Sequence, residues 1–471
     1  MTSRTVAVDF GDRKVDIDVP GNAVIAEFKD PPLLEDPEGA VRKALAEPQG
    51  SAPLAELARP GMKVAIGFDD ITRPNLPPRT ILPIVVDELN RAGVRDRDIL
   101  FINACSNHRK NTRSELANHL GPAIWNRFAP LGRIVNHDCY DSGNLQYVGY
   151  TEGGRLIEHN RAFLEADLQI YQGNVSAQPW RGFTGTGVVV GLASTRSIAS
   201  HHSFHTIPDP AARKAQKDSG NRPVGMKEEV TAELERVTGR PTFYVNSVNG
   251  IGGRMIMVNA GHAGAVKEPA WKLAQRITHT PVPQADVLIV GLAQSYSYGH
   301  SNNALIAAVG ALVPPRYSPE APMLREGGVV IALSPTNGVI DPKIYPSYQA
   351  AADLYGRCFT VRQMVDHEET FDARADWRHA YAHGFGYPPL HAFWLFYELE
   401  YTLQRAGAVI LAGTSNPAAF RSLGITPVQD FAAAWKLAKK YVGPNPTTVV
   451  APSFWSKPRI KFLVDRQEPV A

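Results

Sequence analysis

The chain has 471 residues, 44% hydrophobic and 20% charged, with a formal net charge of +3. That length predicts two or three domains around sizeable cores, and so small a net charge argues against a nucleic-acid or anionic-membrane partner. Three widely separated cysteines, Cys105, Cys139 and Cys358, argue against a disulfide framework and for a reducing compartment. The first 20 residues alternate polar and apolar without an apolar core, so no signal peptide is expected. No apolar run approaches membrane-span length, and a cytoplasmic protein is the default expectation.

Taken in order, Thr5 to Val19 alternates as a hairpin about Gly11-Asp12. Asp36 to Leu45 reads as a helix, with Asp36 as N-cap and Pro37 in its first turn. Met62 to Ile66 is a buried strand, followed by the turn Gly67-Phe68-Asp69-Asp70-Ile71-Thr72-Arg73-Pro74 and a helix over Thr80–Ala92. Ile99 to Ile102 is a second strand, exiting into Ser106, Asn107, His108 and Arg109. Two successive strand exits thus offer polar groups at one sheet edge, where α/β folds bind ligands.

Further strands are expected at Arg133–Val135, Asp167–Tyr171, Phe243–Val248 and Met255–Val258, with a hairpin about Gly153-Gly154. Helices are expected at Lys227–Thr238 and Ala265–Ile277. A Pro-containing connector, Thr278–Gln284, is the expected boundary between an N-terminal domain (1–278) and a C-terminal α/β domain (285–451), followed by a tail (452–471). Beyond it the β-α-β rhythm resumes. Strands are read at Ala285–Gly291, Val329–Leu333, Ala408–Ala412 and Thr447–Ala451, and helices at His391–Arg405 and Val428–Tyr441.

Each candidate site has a plain alternative. Arg73 offers a donor fork for a carboxylate or phosphate, but Asp70 and Arg73 also read as a surface ion pair. Gly182-Phe183-Thr184-Gly185-Thr186-Gly187 reads as an anion cradle or as a glycine-rich turn. Val188-Val189-Val190 is a poor helix start, which weakens any dinucleotide-binding reading and with it a conventional NAD-dependent dehydrogenase. His201, His202 and His205 read as a solvated loop, or as the source of one metal ligand. His108 reads as a general base or a hydrogen-bonded loop histidine. His137-Asp138 reads as structural, and Trp377 as core rather than a ligand platform.

In order and spacing these short motifs resemble the nickel-pincer nucleotide-dependent lactate racemase family. Gly50-Ser51-Ala52-Pro53-Leu54 resembles that family's G-S-x-P-L, Asp70-Ile71-Thr72-Arg73-Pro74 its D-x-T-R-P, and Asn107-His108-Arg109 its G-x-H-R. His137-Asp138 resembles its HD pair, Gly182-Phe183-Thr184-Gly185 its G-F-S-G, and Ser200-His201-His202 the segment whose histidine ligates nickel. Gly220-Asn221-Arg222-Pro223-Val224 is similar to G-N-P-V with one insertion. In the C-terminal half the likeness rests on Gly413-Thr414 and the rhythm after it.

The resemblance implies two α/β domains with parallel or mixed sheets and an active site in the cleft between them. It implies a pyridinium-derived mononucleotide that holds nickel through two sulfurs and a ring carbon, and a small-molecule 2-hydroxy acid substrate. It implies racemisation or epimerisation by hydride transfer to and from that cofactor. Carried over residue by residue, His108 is the general base, Arg73 orients anions and Asp70 holds the cofactor. Thr72, Gly182, Thr184, Gly185 and Thr186 are its further binding candidates. His202 is the nickel ligand, with His201 as competitor.

Three departures qualify this. Gln178 stands where the family has a second catalytic histidine, and an amide exchanges no proton as acid or base. Val188 stands at the attachment lysine, so the cofactor is expected to be non-covalent. Ser295 to Asn303 replaces the Y-Q-x-x-K substrate segment. There His300 is the candidate replacement base, and Tyr298 and Asn303 are candidate contacts for a different substrate. The alternatives are a non-catalytic nucleotide- or anion-binding homologue, or an oxidoreductase working on one face of a hydroxy acid.

Overall fold

The computed structural model describes residues 2–179, 182–185, 188–200, 202–204, 223–296, 298–318, 320–358 and 360–464. Thr186, His201, His205 and Gly220–Arg222, singled out above from the sequence, lie outside the described residues. Helices and two large sheets give the mixed α/β class expected.

The first sheet has six strands, in the order Met255–His262, Phe243–Asn249, Leu168–Val175, Val64–Asp69, Ile99–Ala104 and Ile134–Asn136. All pairings are parallel except that of the first two, which is antiparallel. Its inner strands are buried on both faces, as in a parallel sheet covered on both sides, and mix apolar residues with buried polar ones such as Asn103, Gln172, Asn174 and Asn246. Val64, Ile66 and Phe68 enter one core with the helix Leu76–Arg91, and Ala65 and Tyr171 enter another.

The Leu76–Arg91 helix begins four residues earlier than the apolar pattern suggests. Pro77 and Pro78 occupy its first turn, where their missing N–H groups cost nothing, while Pro83 sits inside it. The expectation that Val188 starts no helix is also corrected: Val188–Gly191 forms one α-turn, with Val188 and Val189 buried. Burial in the core outweighs the mild helix aversion of valine.

The second sheet has eight strands. Its main path runs Thr426–Val428, Ala408–Ala412, Leu324–Leu333, Ala285–Ala293, Ser3–Gly11 and Arg13–Pro20. Thr448–Ala451 also pairs with Ala285–Ala293, and Val24–Ile25 pairs with Thr448–Ala451. The N-terminal hairpin forms as expected, with Phe10 opposite Arg13 across Gly11-Asp12. It joins the sheet built from the C-terminal half, so sheet membership does not follow chain order. Likewise His279–Val282, inside the expected connector, pairs in parallel with Lys461–Val464 from the expected tail.

No helix among the described residues is long and apolar enough to cross a membrane.

Candidate functional site

Parallel register sets up the site. Asp69 ends one strand directly beside Ala104, the end of the next, so the two exit loops leave the sheet side by side. The second loop turns sharply at Ser106, a non-glycine residue at φ 54°, whose N–H donates to Gly191 O at 2.9 Å. Such a conformation is uncommon outside glycine and recurs at functional sites. The turn brings His108 back onto Asp70.

His108 Nδ1 donates to Asp70 Oδ2 at 2.7 Å. Asp70 is only 3% exposed. Its other oxygen accepts from the Thr72 backbone N–H at 3.1 Å and from the Thr72 hydroxyl. The Thr72 oxygen in turn accepts from Arg73 Nη1 at 2.9 Å. Burial pushes the Asp70 carboxyl up, but His108, Arg73 and Thr72 outweigh it and hold the group well below the usual carboxylate range. With Nδ1 carrying the proton toward a carboxylate, a neutral His108 keeps its Nε2 lone pair available as a base.

The neighbouring Asp69 has another job. It accepts from Tyr171 OH at 2.7 Å and from the Asn174 backbone N–H at 2.7 Å, tying the loop to the next strand. Arg109 is held bidentate by Glu115, at 3.0 Å for one of the two bonds. Glu115 also completes the capping box of the helix Arg113–Leu120.

Two cavities flank the Asp70–His108 pair. The first, of about 180 Å³, has Asp70, Arg73, His108, Gln178, His202 and Lys227 on its wall, together with Thr184 and Gly185. The second, of about 730 Å³, has Asp70, Thr72, His108 and His300 on its wall. Tyr298 borders both.

The sequence-read residues therefore divide. Asp70, Arg73, His108, Gln178, Thr184, Gly185 and His202 meet at the first cavity, and Thr72 supports them. Gly182 is not on that wall; its carbonyl accepts from Lys461 Nζ at 2.6 Å. His300 is exposed on the second cavity, its Nδ1 accepting from the Asn302 N–H at 3.0 Å. Among the described residues, no three His, Cys, Asp or Glu side chains gather as a metal-binding group.

His137 is structural. Its Nε2 donates to Ala193 O at 2.9 Å, its Nδ1 accepts from Asn160 Nδ2 at 3.1 Å, and burial brings it down to about 4. Trp377 is core, packed on Phe371 with ring centroids 5.1 Å apart.

The structure adds two groups that sequence reasoning missed. His391 starts the helix His391–Arg405, and its ring lies 5.7 Å from His108 at 83°. Its Nδ1 is 2.7 Å from Tyr348 OH, and burial with His108 nearby holds it well below the ordinary histidine value. The only sequence signal was an imidazole at the head of an apolar helix, after Pro388-Pro389. Lys227 is the second. Burial, reinforced by Arg73, brings its ammonium down to about 8. In the sequence it was one charge on an amphipathic helix.

Residues 10–215 match the lactate racemase N-terminal domain. The lactate racemase of Thermoanaerobacterium thermosaccharolyticum is 26% identical over 254 residues, covering 54% of this chain and 57% of that protein. The lactate racemase of Lactiplantibacillus plantarum is 30% identical over 253 residues, covering 53% of this chain and 56% of that protein. The matched stretch thus spans little more than half the length of these curated relatives. In fold, the chain is similar to the lactate racemase apoprotein from T. thermosaccharolyticum, with a TM-score of 0.72 at 19% identity over 98% of this chain and 100% of that one. It is also similar to the crystal structure of a Thermotoga maritima protein, with a TM-score of 0.57 at 16% identity over 93% of this chain and 100% of that one.

Proposed function

We propose, on the match of residues 10–215 to the lactate racemase N-terminal domain, that the protein is a racemase or epimerase of a 2-hydroxy acid that works with a nickel-pincer nucleotide. The observation that carries the reading is the pairing of buried Asp70 with half-buried His108 on a cavity wall that also holds Arg73 and His202.

The residues present fit such a cofactor. Arg73 and Lys227 supply positive charge for a phosphate, and Asp70 with Thr72 offers polar contacts for a nucleotide. His202 supplies one imidazole ligand, which suits a metal whose other donors belong to the nucleotide itself. Val188 has no amine to form a link at that position, which supports a non-covalent hold. When bound, the cofactor supplies a hydride acceptor and donor for the substrate carbinol carbon.

The chain does the rest. Arg73 pairs with the substrate carboxylate or the cofactor phosphate. His108 takes the hydroxyl proton on Nε2 while Asp70 stabilises the imidazolium through Nδ1. His391 presents a second imidazole to the same cavity, a role for which Gln178 has no chemistry. The proton returns from a histidine when the planar keto acid is reduced on either face.

The test is native mass spectrometry with elemental analysis on protein from cells that make the cofactor, followed by chiral chromatography with 2-hydroxy acids. One nickel, a mononucleotide-sized adduct released on denaturation, and interconversion of the two C2 configurations are expected. Mononucleotide binding without nickel or turnover would instead favour the non-catalytic homologue, the reading that Gln178 supports.

A further inference from the structure

The helix Ala375–His383 carries two groups that the proposed reaction does not use. His379 and His383 are four residues apart, so the helix sets them on one face, one above the other. Their ring centroids are 4.7 Å apart, at 47°. Both residues are exposed, and neither ring has a hydrogen bond or an ion pair among the described residues.

That separation is one that two imidazoles take around a shared metal ion. A ligating ring nitrogen lies about 2.0–2.1 Å from zinc, and the ring centre about 1.1 Å further out, so each centroid is about 3.2 Å from the ion. Two such rings at a right angle have centroids about 4.5 Å apart, and at a tetrahedral angle about 5.2 Å. The observed 4.7 Å falls between the two. Exposed rings change rotamer readily, so aiming one nitrogen of each at a common point needs no backbone movement.

The surroundings suit a cation. His383 is the last residue of the helix, where free carbonyl ends concentrate negative potential. The nearby guanidiniums are already engaged: Arg374 pairs with Asp376 at 2.8 and 2.7 Å, and Arg378 with Asp372 at 2.6 Å. Imidazole nitrogen selects nickel, copper or zinc over magnesium and calcium, which take oxygen ligands. No third His, Cys, Asp or Glu gathers with the pair among the described residues. Water therefore fills the remaining positions, and the ion exchanges, unlike one in a closed four-ligand site.

The helix belongs to the C-terminal half but is fastened to the N-terminal half. Tyr381 OH accepts from the Cys139 N–H at 3.1 Å, and Ala382 O accepts from Lys110 Nζ at 2.8 Å. Just before the helix, Asp372 Oδ1 accepts from Tyr140 OH at 2.6 Å. Tyr381 and Ala382 lie in the turn between the two histidines, so an ion held by both would brace the turn that makes these contacts.

We infer that His379 and His383 form an exchangeable site for a divalent transition-metal ion of the nickel, copper and zinc class, separate from the cavity wall that holds His202, and that an ion bound there braces the helix turn joining the two halves of the chain.

The test uses the full-length chain prepared without cofactor, with nickel, zinc and magnesium chlorides as probes. By calorimetry, the wild type and the double variant His379→Ala/His383→Ala are expected to differ by one site for nickel and one for zinc, and not to differ with magnesium. Either single substitution leaves one imidazole and is expected to weaken that site at least about tenfold, because the second ligand binds intramolecularly. Alanine favours helix and both positions are exposed, so the variants keep the fold, which melts without metal check. Nickel is expected to raise the melting temperature of the wild type more than that of the double variant, since an ion bound only by the folded turn stabilises it.

Equal nickel stoichiometry and affinity in the wild type and the double variant overturn the site. A site lost in one single variant and untouched in the other overturns the chelate. A site lost with an unchanged nickel-dependent melting shift overturns the bracing. An ion held this way leaves on desalting, so the one retained nickel expected for the cofactor is counted independently of it.

Discussion

The Asp70 carboxylate and the His108 imidazole are 2.7 Å apart although 38 residues separate them in the chain. The pair exists because two parallel strands end at the same level, and an ionised Asp70 favours the proton on His108 Nδ1, which leaves Nε2 free for the proposed role as base. Asp70→Asn preserves the shape and removes the charge that holds Nδ1–H. Turnover is expected to fall roughly 10²–10⁴-fold, with 2-hydroxy acid affinity changed far less. Steady-state kinetics on the loaded protein checks this, and an unchanged kcat would remove the carboxylate from the mechanism.

Tyr348 and His391 form the second such pair, joined at 2.7 Å. His391→Asn is expected to lower kcat by roughly 10²-fold or more. Tyr348→Phe leaves the ring but frees its orientation, so a smaller loss is expected together with an altered pH–rate profile. Full activity in both variants would reduce His391 to a packing residue.

Lys227 predicts a pH dependence of anion binding. Its ammonium is brought down to about 8 by burial and by Arg73, so the charged form gives way to the neutral amine near that pH. Affinity for a nucleoside monophosphate is expected to fall as pH rises from about 7 to about 9. Arg73 stays charged and Asp70 stays ionised across that window, so the change belongs to Lys227. In Lys227→Met the calorimetric titration becomes weaker and flat with pH.

Acid stability follows from two buried histidines. Burial brings His137 down to about 4, and burial with His137 nearby brings His159 to about 3. Both folded values lie below the unfolded value near 6.5, so the unfolded chain binds more protons between them. Stability is therefore present in full above about 6.5 and lost as pH falls toward 4, by on the order of a few kcal/mol. Thermal melts should decline over that window, and His159→Leu should shallow the slope.

Gly173 makes a steric prediction. A Cβ there would lie 2.5 Å from the Gly185 carbonyl oxygen, which is backbone of the loop bordering the first cavity. Gly173→Ala is expected to destabilise by about 1–3 kcal/mol and to weaken mononucleotide binding by moving that loop. Chemical denaturation and calorimetry read the two effects separately.

Much of this protein was legible in its sequence. Alternation and apolar runs placed most strands, including Ala408–Ala412 residue for residue, because a buried strand must be apolar along its length. The caps at Asp36 and the turn at Gly11-Asp12 were legible because their hydrogen bonds are local. The polar strand exits marked Asp70 and His108, since groups at the carboxyl ends of parallel strands face one edge of the sheet.

Tertiary structure decided what no local pattern encodes. The N-terminal hairpin lies beside Ala285–Ala293, and Lys461–Val464 beside His279–Val282, because open strand edges find partners anywhere in the chain. His391 reached His108 across 283 residues through helix packing, and Lys227 met Arg73 in the same way. Sequence alone assigned each residue its chemistry. Which groups share a cavity, and what burial does to their protons, depended on long-range packing, since desolvation and proximity arise only when distant segments close on one another.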